Sequence, residues 1–183
     1  MPKQSRYPHL PMPATHAQIV THYTKYRRPD FADELGWFAE PKSFSSALVR
    51  AVKAENKCGK RLSHQWRLGQ LVIPTAQALL RIEQAKLAKI ETFDELFRTI
   101  QTTMEKVPGA GALYAYDTAL RLGAQMKLPP AQVFLQAGTL EGARKLLPKV
   151  RGRSVELQLF PKAFHNLAPA EMEHLLCSYR RWL

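Results

Sequence analysis

Cysteine is almost missing from this chain: Cys58 and Cys177 are the only two in 183 residues. They lie far apart with no metal-ligand spacing, which argues against a disulfide framework and against a zinc site. Acidic residues are scarce too, 15 Asp and Glu against 27 Lys and Arg. That scarcity rules out an acidic, solvating chain and leaves a formal charge of +12. No apolar run is long enough to span a bilayer, and the residues after Met1 lack the apolar core of a secretion signal. No cofactor or metal ion is implied by any motif. The expectation is a protein without membrane spans, in a reducing cytoplasm.

What is present is an ordinary globular composition, 45% hydrophobic and 23% charged, carrying an unusual charge balance. A chain of this length suits one integrated domain, or one domain with an appended lobe, and can bury a real core. An isoelectric point near 10.0 favours a polyanionic partner. Nucleic acid comes first, DNA before RNA, and an anionic membrane surface second. The charge is concentrated. From residue 42 to 67, Lys42, Arg50, Lys53, Lys57, Lys60, Arg61 and Arg67 face Glu55 alone. From 142 to 153, Arg144, Lys145, Lys149, Arg151 and Arg153 face no acid at all. Such clusters imply a footprint more than an evenly basic surface.

The stretch that organises the chain is Val107-Pro108-Gly109-Ala110-Gly111, with a helical pattern on either side. Thr92 and Glu95 form a capping box that opens the helix before it. Leu96, Phe97, Ile100, Met104 and Val107 then recur at helical spacing and give one apolar face. Pro108 stops that helix, and the glycines allow a sharp turn with positive φ. A second helix runs from Ala112 to Met126. Its unpaired N–H groups and the positive end of its dipole sit just past the glycines, where an anion is favoured.

From Thr92 to Met126 the sequence resembles the helix-hairpin-helix motif, whose turn reads apolar-Pro-Gly-apolar-Gly. That resemblance implies a helical fold and binding of a DNA backbone phosphate without reading base sequence. It carries over Gly109 and Gly111 as phosphate-contacting backbone positions, with Lys106 as a flanking cation. Some members of the superfamily are DNA glycosylases with a lysine in or just after the hairpin and an aspartate downstream. Here Ala110, Ala112 and Leu113 hold the near positions, and no aspartate follows Asp117.

The remainder reads as helices and breaks. Residues 1–14 carry four prolines beside Lys3 and Arg6, and form an extended arm, either a solvated tail or a basic strap on nucleic acid. Residues 15–73 form an N-terminal helical portion, and residues 74–183 the helical core. Thr15 and Gln18 cap a helix ending before Arg27, and Phe31–Phe38 is a further turn of helix ending at Pro41. Tyr23, Tyr26, Phe31, Trp37 and Phe38 either anchor this region to its core or stack on bases. Ser43 caps a helix to about Asn56, and a flexible basic loop with Gly59, Ser63, His64 and Gln65 follows. Pro74 starts a helix to about Ile90, with Glu83 inside its apolar stripe as a partnered core carboxylate or a catalytic acid. On the helix after the hairpin, Tyr114, Asp117, Thr118, Arg121 and Gln125 make one polar stripe, a solvent edge or a groove lining. Asp117 either pairs with Arg121 or serves as a general base. Ala131–Gln136 is expected as a short helix, and Thr139 as the cap of another from Leu140 to Leu147, a second small hairpin. Thr139 therefore joins the candidate contacts. Val155–Leu159 alternates like a strand but has no evident partner. Pro169 begins the last helix, with Met172, Leu175, Leu176 and Tyr179 inward and Cys177 buried.

The fold class expected is all-α, a compact multi-helix domain around the hairpin. The function expected is non-sequence-specific nucleic-acid binding through the hairpin and basic clusters. A repair-like or nuclease-like enzyme using Glu83, Asp117 or His64 is a second possibility. A subunit whose basic face meets an acidic protein is a third.

Overall fold

A computed structural model of the chain describes residues 14–183; the arm expected over residues 1–14 lies, but for Ala14, outside them. The described chain is predominantly helical, as the periodicity predicts. By contacts it divides into two compact units, one of residues up to Ala32 together with Ala131–Leu183, the other Asp33–Pro130.

The first unit begins with α1, His16–His22, and the reciprocal Thr15–Gln18 capping box is formed. The chain then passes through one π-turn, Tyr23–Arg27, directly into α2, Arg28–Ala39, so the predicted break before Pro29 is absent. Proline is accommodated there by the π-turn: the Arg28 N–H reaches back five residues to the Tyr23 carbonyl, and the wider turn eases the clash of the ring with the turn before it. Two antiparallel strands follow much later, β1, Val133–Phe134, and β2, Ser154–Val155, paired Val133 to Val155 and Phe134 to Ser154. This corrects two expectations at once. Residues 131–136 are not a helix, and the alternating segment at Val155 does have a partner. The apolar run Val133-Phe134-Leu135 is buried throughout, and the Leu135 N–H continues the ladder to the Arg153 carbonyl at 2.8 Å. A short apolar run of this kind has no period of its own, so its tertiary partner decides its conformation.

Between the strands lies α8, Ala137–Leu146, and α9, Pro169–Tyr179, closes the chain. Thr139 is inside α8 and is not its cap. Its buried hydroxyl donates to Glu173 Oε1 at 2.5 Å, so the second hairpin is absent. Met172, Leu175, Leu176 and Tyr179 pack inward as predicted, against Ile19, Tyr23, Phe160 and Phe164. Cys177 is exposed, contrary to expectation. Arg28 grips Glu171 through two 2.7 Å bonds, and Glu171 also accepts from the Ala168 N–H at the start of α9.

The second unit takes α2 from Asp33 onward and contains α3, Phe44–Lys53, α4, Val72–Ile82, α5, Gln84–Leu87, α6, Phe93–Met104, and α7, Ala112–Met126. α3 is capped by Ser43 and ends at Ala54, which takes a left-handed conformation at φ 53°. The predicted helix from Pro74 to Ile90 is interrupted at Glu83, which sits half-buried between α4 and α5. A continuous helix would place that carboxylate in the apolar stripe; the break moves it to the edge. Phe93 and Phe97 pack edge-on against Tyr116, with ring centroids 6.0 and 5.7 Å away.

The polar stripe on α7 is neither a solvent edge nor a groove lining, because Tyr114, Thr118 and Arg121 are buried. The Tyr114 hydroxyl donates to the Val52 carbonyl at 2.7 Å, and Arg121 Nη1 donates to the Ala51 carbonyl at 3.5 Å. Both carbonyls belong to the last turn of α3, where no intrahelical donor remains. The stripe therefore terminates one helix from the side of another.

Burial pushes the phenols of Tyr23 and Tyr114 well above their ordinary value; at Tyr23 the Glu171 carboxylate adds to this, whereas Arg121 and Arg61 oppose it at Tyr114. A raised phenol pKa contributes stability below about pH 10 and loses it as pH rises, since only the unfolded phenol ionises. Unfolding free energy should fall by about 1.4 kcal/mol per pH unit for each tyrosine above about pH 10. Urea titrations of wild type and Tyr114→Phe at successive alkaline pH values check this, the variant showing the shallower decline.

Candidate nucleic-acid interface

The hairpin forms as a tight turn. The Ala110 N–H donates to the Val107 carbonyl at 3.0 Å, and Gly109 lies at φ +87°. Proline second and a positive-φ glycine third are the requirements of a type II turn. Gly111 serves a different purpose. It is the N-cap of α7 in extended conformation, φ −72° and ψ 166°, and offers no side chain to cap the helix. By contrast Thr15, Ser43 and Thr92 each accept a backbone N–H at the starts of α1, α3 and α6. The first N–H groups of α7 have no carbonyl one turn earlier to bond. Gly109, Gly111, Ala112 and Leu113 are exposed, and a side chain at Gly111 would meet nothing within 4 Å. Lys106, at the entry to the turn, is exposed as well.

The basic loop after α3 is not the flexible segment expected. Ala54 reverses the chain, Glu55 bridges Arg61, and the Leu62 N–H donates to the Ala54 carbonyl at 2.8 Å. Asn56 Oδ1 accepts from the Cys58 and Lys60 N–H groups at 2.9 and 3.1 Å. Gly59, at φ +69°, completes the reversal and does not end a helix. Lys57, Lys60 and Arg61 are thus held exposed on a tied loop, and Arg67 follows, also exposed.

This loop runs beside the hairpin. Gln65 is buried, and its amide donates to Asp117 Oδ2 at 2.5 Å, on the second turn of α7. Further along, a Val72 methyl carbon stands 3.2 Å from where a Cβ on Gly109 would be. Gly109, Gly111, Lys106, Lys57, Lys60, Arg61 and Arg67 therefore belong to one unit. Lys53, Lys57 and Arg81 line a cleft of about 560 Å³ in the same unit. Arg50, also in the wall, lies 3.7 Å over the Trp37 ring. Arg144, Lys145, Lys149, Arg151 and Arg153 are exposed in the other unit. Lys145 Nζ there donates to the Arg180 carbonyl. Thr139 leaves the contact set, since its hydroxyl is buried against Glu173.

The catalytic candidates belong to three different elements. Asp117 accepts from Gln65 and faces Arg121 Nη2 at 3.6 Å, which is the pairing its i, i+4 spacing allows. Glu83 sits at the α4–α5 junction, and His64 belongs to the 3-10 turn Ser63–Gln65. Among the described residues no three His, Cys, Asp or Glu side chains are grouped to hold a metal ion.

One prominent residue is absent from the sequence expectations. Trp66 is 72% exposed, in a run from 56 to 71 without an acid. A tryptophan between Arg61 and Arg67 is a legible signal of basic and aromatic interleaving.

No protein-family model, curated protein or solved structure matches this chain.

Proposed function

We propose that the chain binds nucleic acid, DNA foremost, without reading its sequence, by seating a backbone phosphate on the start of α7. The observation that carries this reading is the exposed, side-chain-free entry to α7. There a type II turn and an open Gly111 lead into the first N–H groups of α7, which have no carbonyl of their own helix to bond. The dipole of the helix favours an anion at that end. Lys106 and the cations of the adjoining loop would add the electrostatic part of the affinity, which in such complexes comes from released counterions.

The test is a titration with duplex DNA using Ala112→Pro. Proline is welcome in the first position of a helix, and Gly111 already has the extended backbone that a following proline requires. The substitution removes one N–H and leaves the fold at wild-type stability or slightly above. Losing a hydrogen bond to a charged acceptor costs about 1.5–3 kcal/mol, so affinity should fall roughly tenfold or more. Log affinity should also decline with log salt at a slope near −0.9 per phosphate contacted. A variant that melts like the wild type and binds DNA equally well removes the hairpin from the interface.

A further inference from the structure

We infer that Trp66 is a stacking platform for the bases of a single-stranded segment of nucleic acid. The inference rests on the nucleic-acid reading above and narrows it to a substrate class.

The first argument is how the ring is held. Its Nε1–H donates to the Arg61 carbonyl at 3.0 Å, so the only polar atom of the indole is satisfied within its own loop. The backbone on its N-terminal side is anchored by Gln65, which is 2% exposed and bonded to Asp117. Trp66 itself remains 72% exposed. A ring fixed at its edge and bare on its face cannot recruit a ligand by hydrogen bonding. It suits a flat partner that offers its own face, with little side-chain freedom left to lose on binding.

The second argument is charge. From Asn56 to Leu71 the chain has no Asp or Glu, and Lys57, Lys60, Arg61 and Arg67 are all exposed. A polynucleotide strand alternates anionic phosphates with flat bases, and an aromatic face among cations answers both. In a duplex those base faces are covered by their neighbours, so the partner is a strand with its bases free. A lipid surface would take an amphipathic helix with a continuous apolar face. Trp66 instead lies in an irregular loop beside exposed Arg67 and Gln70.

The experiment uses the full chain and three labelled ligands of equal length: oligothymidylate, the same strand without bases, and a duplex. Wild type should prefer oligothymidylate to the abasic strand. Trp66→Ala should lose about tenfold of its affinity for oligothymidylate, the low end of what one stacked base contributes. Its affinity for the abasic strand and its melting temperature should be unchanged, and Trp66→Phe should retain most of the binding. Equal binding of the base-bearing and abasic strands by wild type overturns the platform while leaving phosphate binding standing. So does an unaltered affinity for oligothymidylate in Trp66→Ala. Absence of binding to any of the three at low salt overturns both readings. Vesicles of phosphatidylserine and phosphatidylcholine form a further arm. Capture by them that depends on Trp66, without a preference for bases, assigns the ring to a lipid surface and overturns the inference.

Discussion

Replacing Arg121 with methionine is expected to cost the chain about 3–5 kcal/mol of stability, the usual result of breaking a buried ion pair from one side. Arg121 is 3% exposed, and its guanidinium faces Asp117 at 3.6 Å and the Ala51 carbonyl at 3.5 Å. It also lies 5.3 Å over the ring of Phe38. Methionine fills much of the volume but takes the guanidinium from the carboxylate, which keeps the Gln65 amide, and a donor from a helix-terminal carbonyl. Much of the loss is therefore the desolvation of what remains. Asp117→Asn combined with Arg121→Met should recover part of it, because the uncompensated charge is gone. Urea unfolding of the two single variants and the double variant measures both the loss and the recovery. Additive losses would mean that Asp117 and Arg121 do not stabilise one another.

The second large effect belongs to the other unit. Gly142→Ala ordinarily stabilises a helix by about 1 kcal/mol through chain entropy and propensity. In α8 the sign should reverse. A Cβ on Gly142 would stand 2.4 Å from the Leu176 carbonyl oxygen and 3.0 Å from its carbon. Those are backbone atoms of α9, so no rotamer change relieves the contact and the helices must part. Overpacking costs about 1–3 kcal/mol, and a clash with backbone belongs at the upper end; about 3 less the ordinary gain of about 1 leaves a net loss of roughly 2 kcal/mol. A rise in melting temperature for Gly142→Ala would show that α8 and α9 are not in such close contact.

The sequence discloses those elements whose signals are local. Thr15, Ser43 and Thr92 are read as caps because a cap needs only its own next three residues. The Pro108-Gly109 turn is likewise written in place. What escapes is whatever depends on a distant partner. Val133-Phe134 becomes a strand because Ser154-Val155 lies opposite it. The polar stripe of α7 is interior because the last carbonyls of α3 require donors. Glu83 marks a helix break with neither glycine nor proline to announce it. At the candidate interface the glycines and the basic residues are legible, while the ordering of the loop is not. That ordering comes from Asn56, whose amide oxygen ties down two N–H groups, and from Gln65, whose partner is 52 residues away.

The unit built from both ends of the chain has a bearing on biosynthesis. Residues 33–130 are contiguous, so they can complete their folding as soon as they have cleared the ribosome. The α1 segment, made earlier, finds Phe160, Phe164 and Leu175 only after the whole of the other unit has been made. Until then Ile19 and Tyr23 lack the cluster that covers them in the finished fold. α1 thus settles later than the helices of residues 33–130 that follow it in sequence, and until then its apolar face is open to a chaperone.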